Sequence, residues 1–342
     1  MKKYVVGVVG ASGAVGEELF RVLEERNFPV SRIVPLASKR SVGKEIEFCG
    51  ENYKILETTH DVFEKEGVQI AFFSAGSKVS AEYAESAVKA GALVIDNTSH
   101  FRMDKDVPLV VPEVNPQDIA QWSKKGIIAN PNCSTIQMVL VLDPLHKAFG
   151  IKRVDVSTYQ ATSGAGKRGM EELIEQMQAF FAFKLNESKP RVFPHRIAFN
   201  VIPHIDDFMP NGYTKEEMKM VNETHKIMHA SFAVSATCVR VPVLRCHSEA
   251  ITITFEQEIS TEAARGVFAK SLSAVALCDE PPCRKYPMPS LVSESNLTHV
   301  GRIREDNFDK HILHLWCVAD QLRVGAATNA VRIAERWAQM ES

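Results

Sequence analysis

The segment Asn130-Pro131-Asn132-Cys133-Ser134-Thr135 holds the residue type in this chain best suited to nucleophilic chemistry. It follows an apolar run, Gly126-Ile127-Ile128-Ala129, that reads as a strand. It precedes Ile136 to Leu145, which reads as a buried helix. Cys133 therefore falls where a tight turn feeds a helix N-terminus. Unpaired N–H groups and the helix dipole favour an anion there, so a thiolate is expected near neutral pH. Ser134 and Thr135 are suited to cap the helix. The competing reading is a buried cysteine packed as a small hydrophobe; the polar, turn-forming neighbours count against it.

A reactive thiol needs a partner that moves protons. His247 ends the strand-like run from Cys238 to Glu249, which also contains Arg240 and Arg245. Imidazole exchanges protons near neutral pH, and a guanidinium holds a carboxylate with two parallel hydrogen bonds. On residue types alone, a packed histidine is an equal reading. The loop Ala161-Thr162-Ser163-Gly164-Ala165-Gly166 allows close backbone approach to a ligand, or is simply a turn. Arg102 follows a strand end and could bind phosphate or carboxylate; a solvated surface arginine competes.

These groups need a scaffold. Tyr4 to Val9 is a β-branched apolar run, hence a strand buried on both faces. It runs into Gly10-Ala11-Ser12-Gly13-Ala14-Val15-Gly16, and Glu17 to Arg26 has a helical apolar face. Strand, glycine turn and helix in that order are the context of a dinucleotide fingerprint. The second strand, Ser31 to Ala37, ends in Ser38-Lys39-Arg40-Ser41 rather than an acid. Cations and hydroxyls suit a ribose 2′-phosphate, which predicts NADP over NAD; an exposed basic loop is the alternative.

Further strands are expected at Val68–Ser74, Leu93–Asp96, Leu109–Val114 and Ile127–Ala129, with a helix at Val79–Ala90. Alternating strands and helices predict an α/β, Rossmann-type, doubly wound parallel sheet. After the cysteine helix the pattern changes. Arg153 to Gln160 alternates as a strand; Gly169–Phe181 and Thr214–Ser231 read as helices, the second opened by a capping box. Phe232–Val243, Ala250–Glu258, Val300–Arg304 and Ile312–Val318 read as antiparallel strands, with a helix at Thr261–Ala276. This predicts a second, α+β domain over 133–318. Residues 1–132 plus 319–342 form the nucleotide-binding domain, with Asn329–Met340 a helix packing back on it.

The chain of 342 residues is 45% hydrophobic and 24% charged, with a formal net charge of -2. That balance gives no electrostatic case for nucleic acid or an anionic membrane. The seven cysteines are spread out and form no C-x-x-C pair, so neither zinc, nor any other metal, nor a disulfide framework is expected. The N-terminus enters a strand pattern at once, without a signal-peptide core, so a cytoplasmic protein with reduced thiols is expected.

Asn130 to Thr135, Tyr159-Gln160-Ala161-Thr162-Ser163-Gly164-Ala165-Gly166 and Arg240 to Glu249 closely resemble the aspartate-semialdehyde dehydrogenase family. Gly10 to Gly16 and Asp320 to Asn329 fit as well, so the resemblance spans essentially the whole chain. It implies an NADP-dependent enzyme that reversibly converts aspartyl phosphate to aspartate semialdehyde, on the route to lysine, threonine and methionine. By motif, it puts the nucleophile on Cys133, the acid/base on His247 and the group supporting the thioacyl intermediate on Gln160. It puts the substrate carboxylate on Arg240, the substrate amino group on Glu216 rather than Glu217, and phosphate on Lys219 and Arg102, with Asn132, beside the nucleophile, also binding substrate. Cofactor contacts fall on Gly10, Ser12, Gly13, Ala14, Val15, Ser38, Arg40, Ser41, Ser163, Gly164 and Asn329. Arg323 and Thr328 depart from the Lys and Gly frequent in the family. A homodimer or homotetramer is implied. Two other readings remain: a sister reductase acting on N-acetylglutamyl phosphate, whose acylated amine would leave Glu216 no charge to meet, and a non-catalytic NADP-binding homologue.

Overall fold

An unbroken apolar run makes β1 (Tyr4–Val9), the strand on which the first half of the protein is built. The computed structural model describes residues 2–270 and 273–341. The chain forms two compact units, Met1–Asn132 with Gly325–Ser342, and Cys133–Val324. Residues 319–324, grouped above with the nucleotide-binding segment, cluster instead with the second unit. Side chains there hold them: Asp320 accepts from Arg245, and Gln321 accepts from the Cys246 N–H.

The first unit comprises β1, α1 (Ala14–Glu25), β2 (Val30–Ala37), β3 (Glu45–Phe48), β4 (Glu51–Lys54), β5 (Leu56–Glu57), α2 (Val62–Lys65), β6 (Ile70–Phe73), α3 (Ser77–Lys89), β7 (Leu93–Asp96) and β8 (Ile127–Ala129). Six of these strands form one sheet, in the order β5-β2-β1-β6-β7-β8, and every pair is parallel. β6 and β7 are buried at every residue, which is why they carry no alternation. α1 buries Leu19, Phe20, Val22 and Leu23. A Cβ added at Gly16 would lie 2.3 Å from the Gly10 carbonyl oxygen, so only glycine lets this helix start so close to β1. Gly10 itself turns with φ +95°, open to few other residues.

The second unit comprises α4 (Cys133–Phe149), β9 (Ile151–Gln160), α5 (Lys167–Phe181), α6 (Lys215–Met228), β10 (Ala233–Arg240), β11 (His247–Phe255), α7 (Thr261–Phe268), β12 (Val275–Leu277), α8 (Pro289–Val292), β13 (Thr298–Glu305) and β14 (Ile312–Ala319). Its six-stranded sheet runs β10-β9-β11-β14-β13-β12. The chain then returns to the first unit as α9 (Thr328–Met340), whose Ala330, Val331, Ile333, Ala334 and Trp337 join the core around Tyr4 and Phe28.

Four expectations need correction. Leu109–Val114 is no strand: Leu109 makes one isolated bridge to Ala129, and Pro108 and Pro112 supply no N–H for a ladder. β10 pairs parallel to β9, because the connection passes through α5 and α6 and brings the chain back to the same end. The helix expected over Thr261–Ala276 ends at Phe268, and Val275–Leu277 pairs with β13 instead; residues 271 and 272 of that expectation lie outside the described residues. Finally, α4 begins at Cys133, so Ser134 and Thr135 lie inside its first turn rather than at its cap.

Candidate active site

The second unit gathers its chemistry at one end of its sheet. Arg240, the last residue of β10, lies opposite Gln160, the last residue of β9. His247, the first residue of β11, lies opposite Ala319 of β14. Three strand ends thus present Arg240, Gln160 and His247, all buried, in one row.

His247 is fully buried. Its Nδ1 accepts from the Ala161 N–H at 3.1 Å, so the neutral ring carries its proton on Nε2. Nε2 has no hydrogen-bond partner among the described residues. Burial, helped by the Arg240 charge, holds the His247 pKa well below its ordinary value, against a smaller opposing effect of the Cys246 backbone. The result is a neutral imidazole with one donor to offer. Gly164 leaves it room: a Cβ there would lie 3.3 Å from His247 Nε2 and 2.6 Å from Arg240 Nη1. Neighbouring Ser163 accepts from the side-chain amide of Gln321.

Arg240 Nη1 donates to the Ala161 carbonyl at 2.6 Å, and its guanidinium lies over the Phe193 ring, 5.8 Å from the centroid. Burial lowers its pKa, while Glu216, Cys133 and Cys238 act in the opposite sense. That balance places the Cys133 sulfur and the Glu216 carboxylate within electrostatic reach of one guanidinium. Cys133 itself opens α4 and is partly exposed.

Helix α6 supplies the remaining charges. Thr214 and Glu217 form the capping box, with the Thr214 N–H donating to Glu217 at 2.7 Å and the Glu217 N–H donating to Thr214 Oγ1 at 3.2 Å. Glu217 also accepts from the Cys238 N–H at 3.1 Å, so it is committed to structure. Glu216 turns the other way: Gln160 Nε2 donates to it at 3.4 Å and Lys219 Nζ at 3.1 Å. Lys219 also reaches Asp206 at 2.7 Å. Burial works against the Lys219 charge, but Glu216 and Asp206 outweigh it and raise its pKa. Cys133, Gln160, Glu216, Lys219, Arg240 and His247 therefore form one polar group within the second unit.

Several partners in this group carry no sequence signal. Asp206 lies in an irregular stretch, Phe193 is an ordinary apolar residue, and Thr158, which accepts from Gln160 Nε2 at 3.3 Å, looks like any inward-facing strand position. Only the fold brings them in.

In the first unit, Gly10, Ser12, Gly13, Ala14 and Val15 form the turn between β1 and α1. Gly13 is the cap residue and offers no side-chain acceptor to the helix start, leaving its N–H groups for a phosphate. Ser38, Arg40 and Ser41 follow β2, and Ser41 Oγ lies 3.2 Å from Ser12 Oγ. The glycine turn and the loop after β2 thus meet, and the residues present fit a nicotinamide dinucleotide. Arg102 is buried, donating from Nε to the Asn130 carbonyl at 3.0 Å and from Nη2 to the Asn97 carbonyl at 2.8 Å. Asn329 spends its side-chain N–H groups on the Val110 carbonyl at 2.9 Å and Asn130 Oδ1 at 2.7 Å, which ties down the segment leading to Asn132. Among the described residues no group of three or more His, Cys, Asp or Glu side chains could hold a metal ion, and no helix is long and apolar enough to cross a membrane.

Known proteins share both halves of this arrangement. Residues 5–122 match the family model of the semialdehyde dehydrogenase NAD binding domain, and residues 142–324 that of the semialdehyde dehydrogenase dimerisation domain. Aspartate-semialdehyde dehydrogenase of Campylobacter jejuni is 64% identical over 341 residues, covering 100% of this chain and 99% of that protein. The crystal structure of aspartate semialdehyde dehydrogenase II from Vibrio cholerae, complexed with ASA, superposes with a TM-score of 0.95 at 44% identity, covering 99% of both chains. The enzyme of Candida albicans with NADP superposes with a TM-score of 0.73 at 26% identity, covering 98% of both chains. With a buried histidine, arginine, glutamine and glutamate grouped about a helix-opening cysteine, and with that likeness running end to end, the chain belongs to the aspartate-semialdehyde dehydrogenase family, oxidoreductases of amino-acid biosynthesis with an NAD(P)-binding domain.

Proposed function

We propose that the chain catalyses the NADP-dependent, reversible reductive dephosphorylation of aspartyl phosphate to aspartate semialdehyde through a thioester on Cys133. The observation that carries this reading is the meeting of Gln160, Glu216 and Arg240 beside a neutral, unpartnered His247 Nε2. Arg240 and Glu216 offer opposite charges to the two ends of an amino acid.

In the reductive direction the Cys133 thiolate adds to the acyl phosphate carbonyl, and its electron pair becomes the C–S bond. The carbonyl oxygen becomes anionic and accepts a hydrogen bond from His247 Nε2–H. Collapse breaks the C–O bond to phosphate, and Lys219 lies ready to neutralise the leaving group, which takes up one proton from solvent. When bound, NADPH supplies the hydride that reduces the resulting thioester. The second oxyanion again meets His247 Nε2–H, and it collapses to aldehyde by returning the electron pair to the Cys133 sulfur. Gln160 lies in the same row and positions the thioacyl group. A free carboxylate would resist hydride; the thioester does not.

The preference for NADP rests on Ser38, Arg40 and Ser41 beside the glycine turn. We assign cofactor binding to the first unit, and catalysis and dimerisation to the second, the latter supported by the description of its family model. The product would serve lysine, threonine and methionine formation in the cytoplasm. The test is NADPH formation from aspartate semialdehyde, NADP and phosphate. Wild type should turn over and Cys133→Ser should not; an unchanged rate in Cys133→Ser, or turnover of N-acetylglutamate semialdehyde instead, overturns the reading.

A further inference from the structure

The sheet that ends in Arg240, Gln160 and His247 has a second polar row two residues deeper, which the mechanism above does not use. Register sets Cys238 beside Thr158, Thr158 beside Glu249, and Glu249 beside Cys317, across β10, β9, β11 and β14. All four are buried. Glu249 shares a face of β11 with His247, since side chains alternate along a strand.

Gln137 reaches this row from α4, one helical turn beyond Cys133. Its Nε2 donates to Cys317 Sγ at 3.8 Å, and the Cys317 thiol donates to Glu249 Oε2 at 3.5 Å. Glu249 Oε1 and Gln137 Oε1 are buried acceptors with no partner among the described residues. An ionised carboxylate can only accept, whereas a protonated one also donates. A proton on Glu249 is therefore the donor this cluster lacks.

The surroundings agree. Burial pushes the Glu249 pKa up to about 8, against smaller effects of Cys317 and Gln137. The Cys317 thiol is raised well above its ordinary value by burial and by Glu249, and burial likewise raises Cys238, which Glu216 and Glu217 on α6 also face. His247 is held neutral, and Gln137 carries no charge. Arg240, one row up, acts on His247 rather than on Glu249.

We propose that Glu249 is a positioning residue: as a neutral acid it links the helix that opens with Cys133 to the strand that opens with His247, and so fixes the spacing of the two. It touches no substrate and acts through Gln137 and Cys317. The proposal rests on Cys133 and His247 being the reacting pair.

Two variants and one spectrum test it. Glu249→Gln keeps a neutral donor and should keep the wild-type kcat. Glu249→Leu should fold but lose about 10²-fold in kcat, the usual cost of a site loosened by about 1 Å, with little change in KM. Wild-type kcat should fall as pH rises through about 8, where Glu249 loses its proton, and this limb should be absent from Glu249→Gln. In infrared difference spectra at neutral pH, wild type should show a protonated-carboxyl band that Glu249→Gln lacks. Wild-type kcat in Glu249→Leu, an alkaline limb retained in Glu249→Gln, or no such band would each overturn the proposal. If the assigned reaction itself fails, no variant turns over aspartate semialdehyde, yet the band still decides whether Glu249 is protonated.

Discussion

The Ala161 N–H points at Nδ1 of His247 across 3.1 Å, and that single contact decides which ring nitrogen holds the proton. A cationic ring would need a proton on Nδ1, where the Ala161 N–H already points. Under the proposed mechanism, His247 then donates a hydrogen bond to an oxyanion rather than cycling through a cation.

The pH dependence follows. An ordinary histidine gains a proton as pH falls through about 6.5. The pKa of His247 is depressed, so the neutral form persists below that value. Wild-type kcat should stay flat as pH is lowered from 7 to about 6, and His247→Ala should lose about 10²–10³-fold at every pH in that range. A kcat–pH profile with an acid limb near 6.5, present in wild type and removed in His247→Ala, would contradict this.

Adjacent glutamates on α6 should behave oppositely. Glu217→Ala removes a capping box and the acceptor for the Cys238 N–H, at a cost of about 1–3 kcal/mol. Its melting temperature should drop while KM holds. Glu216→Ala should act chiefly on binding, raising KM for aspartate semialdehyde about tenfold or more, the equivalent of about 1.4 kcal/mol. Melting curves and initial rates on the same two proteins check both.

Arg40→Asp should weaken NADP use. A charge-assisted hydrogen bond contributes about 1.5–3 kcal/mol, so kcat/KM with NADP should fall about 10- to 100-fold while that with NAD holds or rises. Parallel assays with the two cofactors give the ratio directly, and an unaltered ratio would refute the role assigned to the loop after β2.

Gly164→Ala adds a methyl 2.6 Å from Arg240 Nη1 and 3.3 Å from His247 Nε2. Something must shift, and the mobile partner is the guanidinium. Since this is the group assigned to the substrate carboxylate, KM should rise by about tenfold, or about 1.4 kcal/mol, with the fold retained. Wild-type KM with an unchanged melting temperature would show that the loop simply moves aside.

Part of this architecture is legible in the sequence itself. The parallel sheet was legible because β1, β6 and β7 are continuous apolar runs, and the glycine turn stands between a strand and a helix. The capping box at Thr214 was legible because its two partners are three residues apart. Strand direction in the second sheet was not, since alternation along β10 is the same whichever way its neighbour runs. The end of α7 is not legible, because residues such as Ala274 and Ala276 favour a helix locally, while pairing of Val275–Leu277 with β13 wins. The role of Glu249 was invisible: its partners Cys317 and Gln137 are 68 and 112 positions away in the chain (317 − 249 and 249 − 137).

Helix α9 has a consequence for synthesis. The core around Tyr4 and Phe28 is closed by Trp337 and its neighbours, which are translated after the second unit. Residues 133–324, by contrast, are one uninterrupted stretch. On the ribosome, the half bearing the thiol can therefore reach its native form while residues 1–132 still wait for α9. A nascent chain arrested with residue 324 just outside the exit tunnel should resist protease over 133–324 and stay cleavable before Asn132.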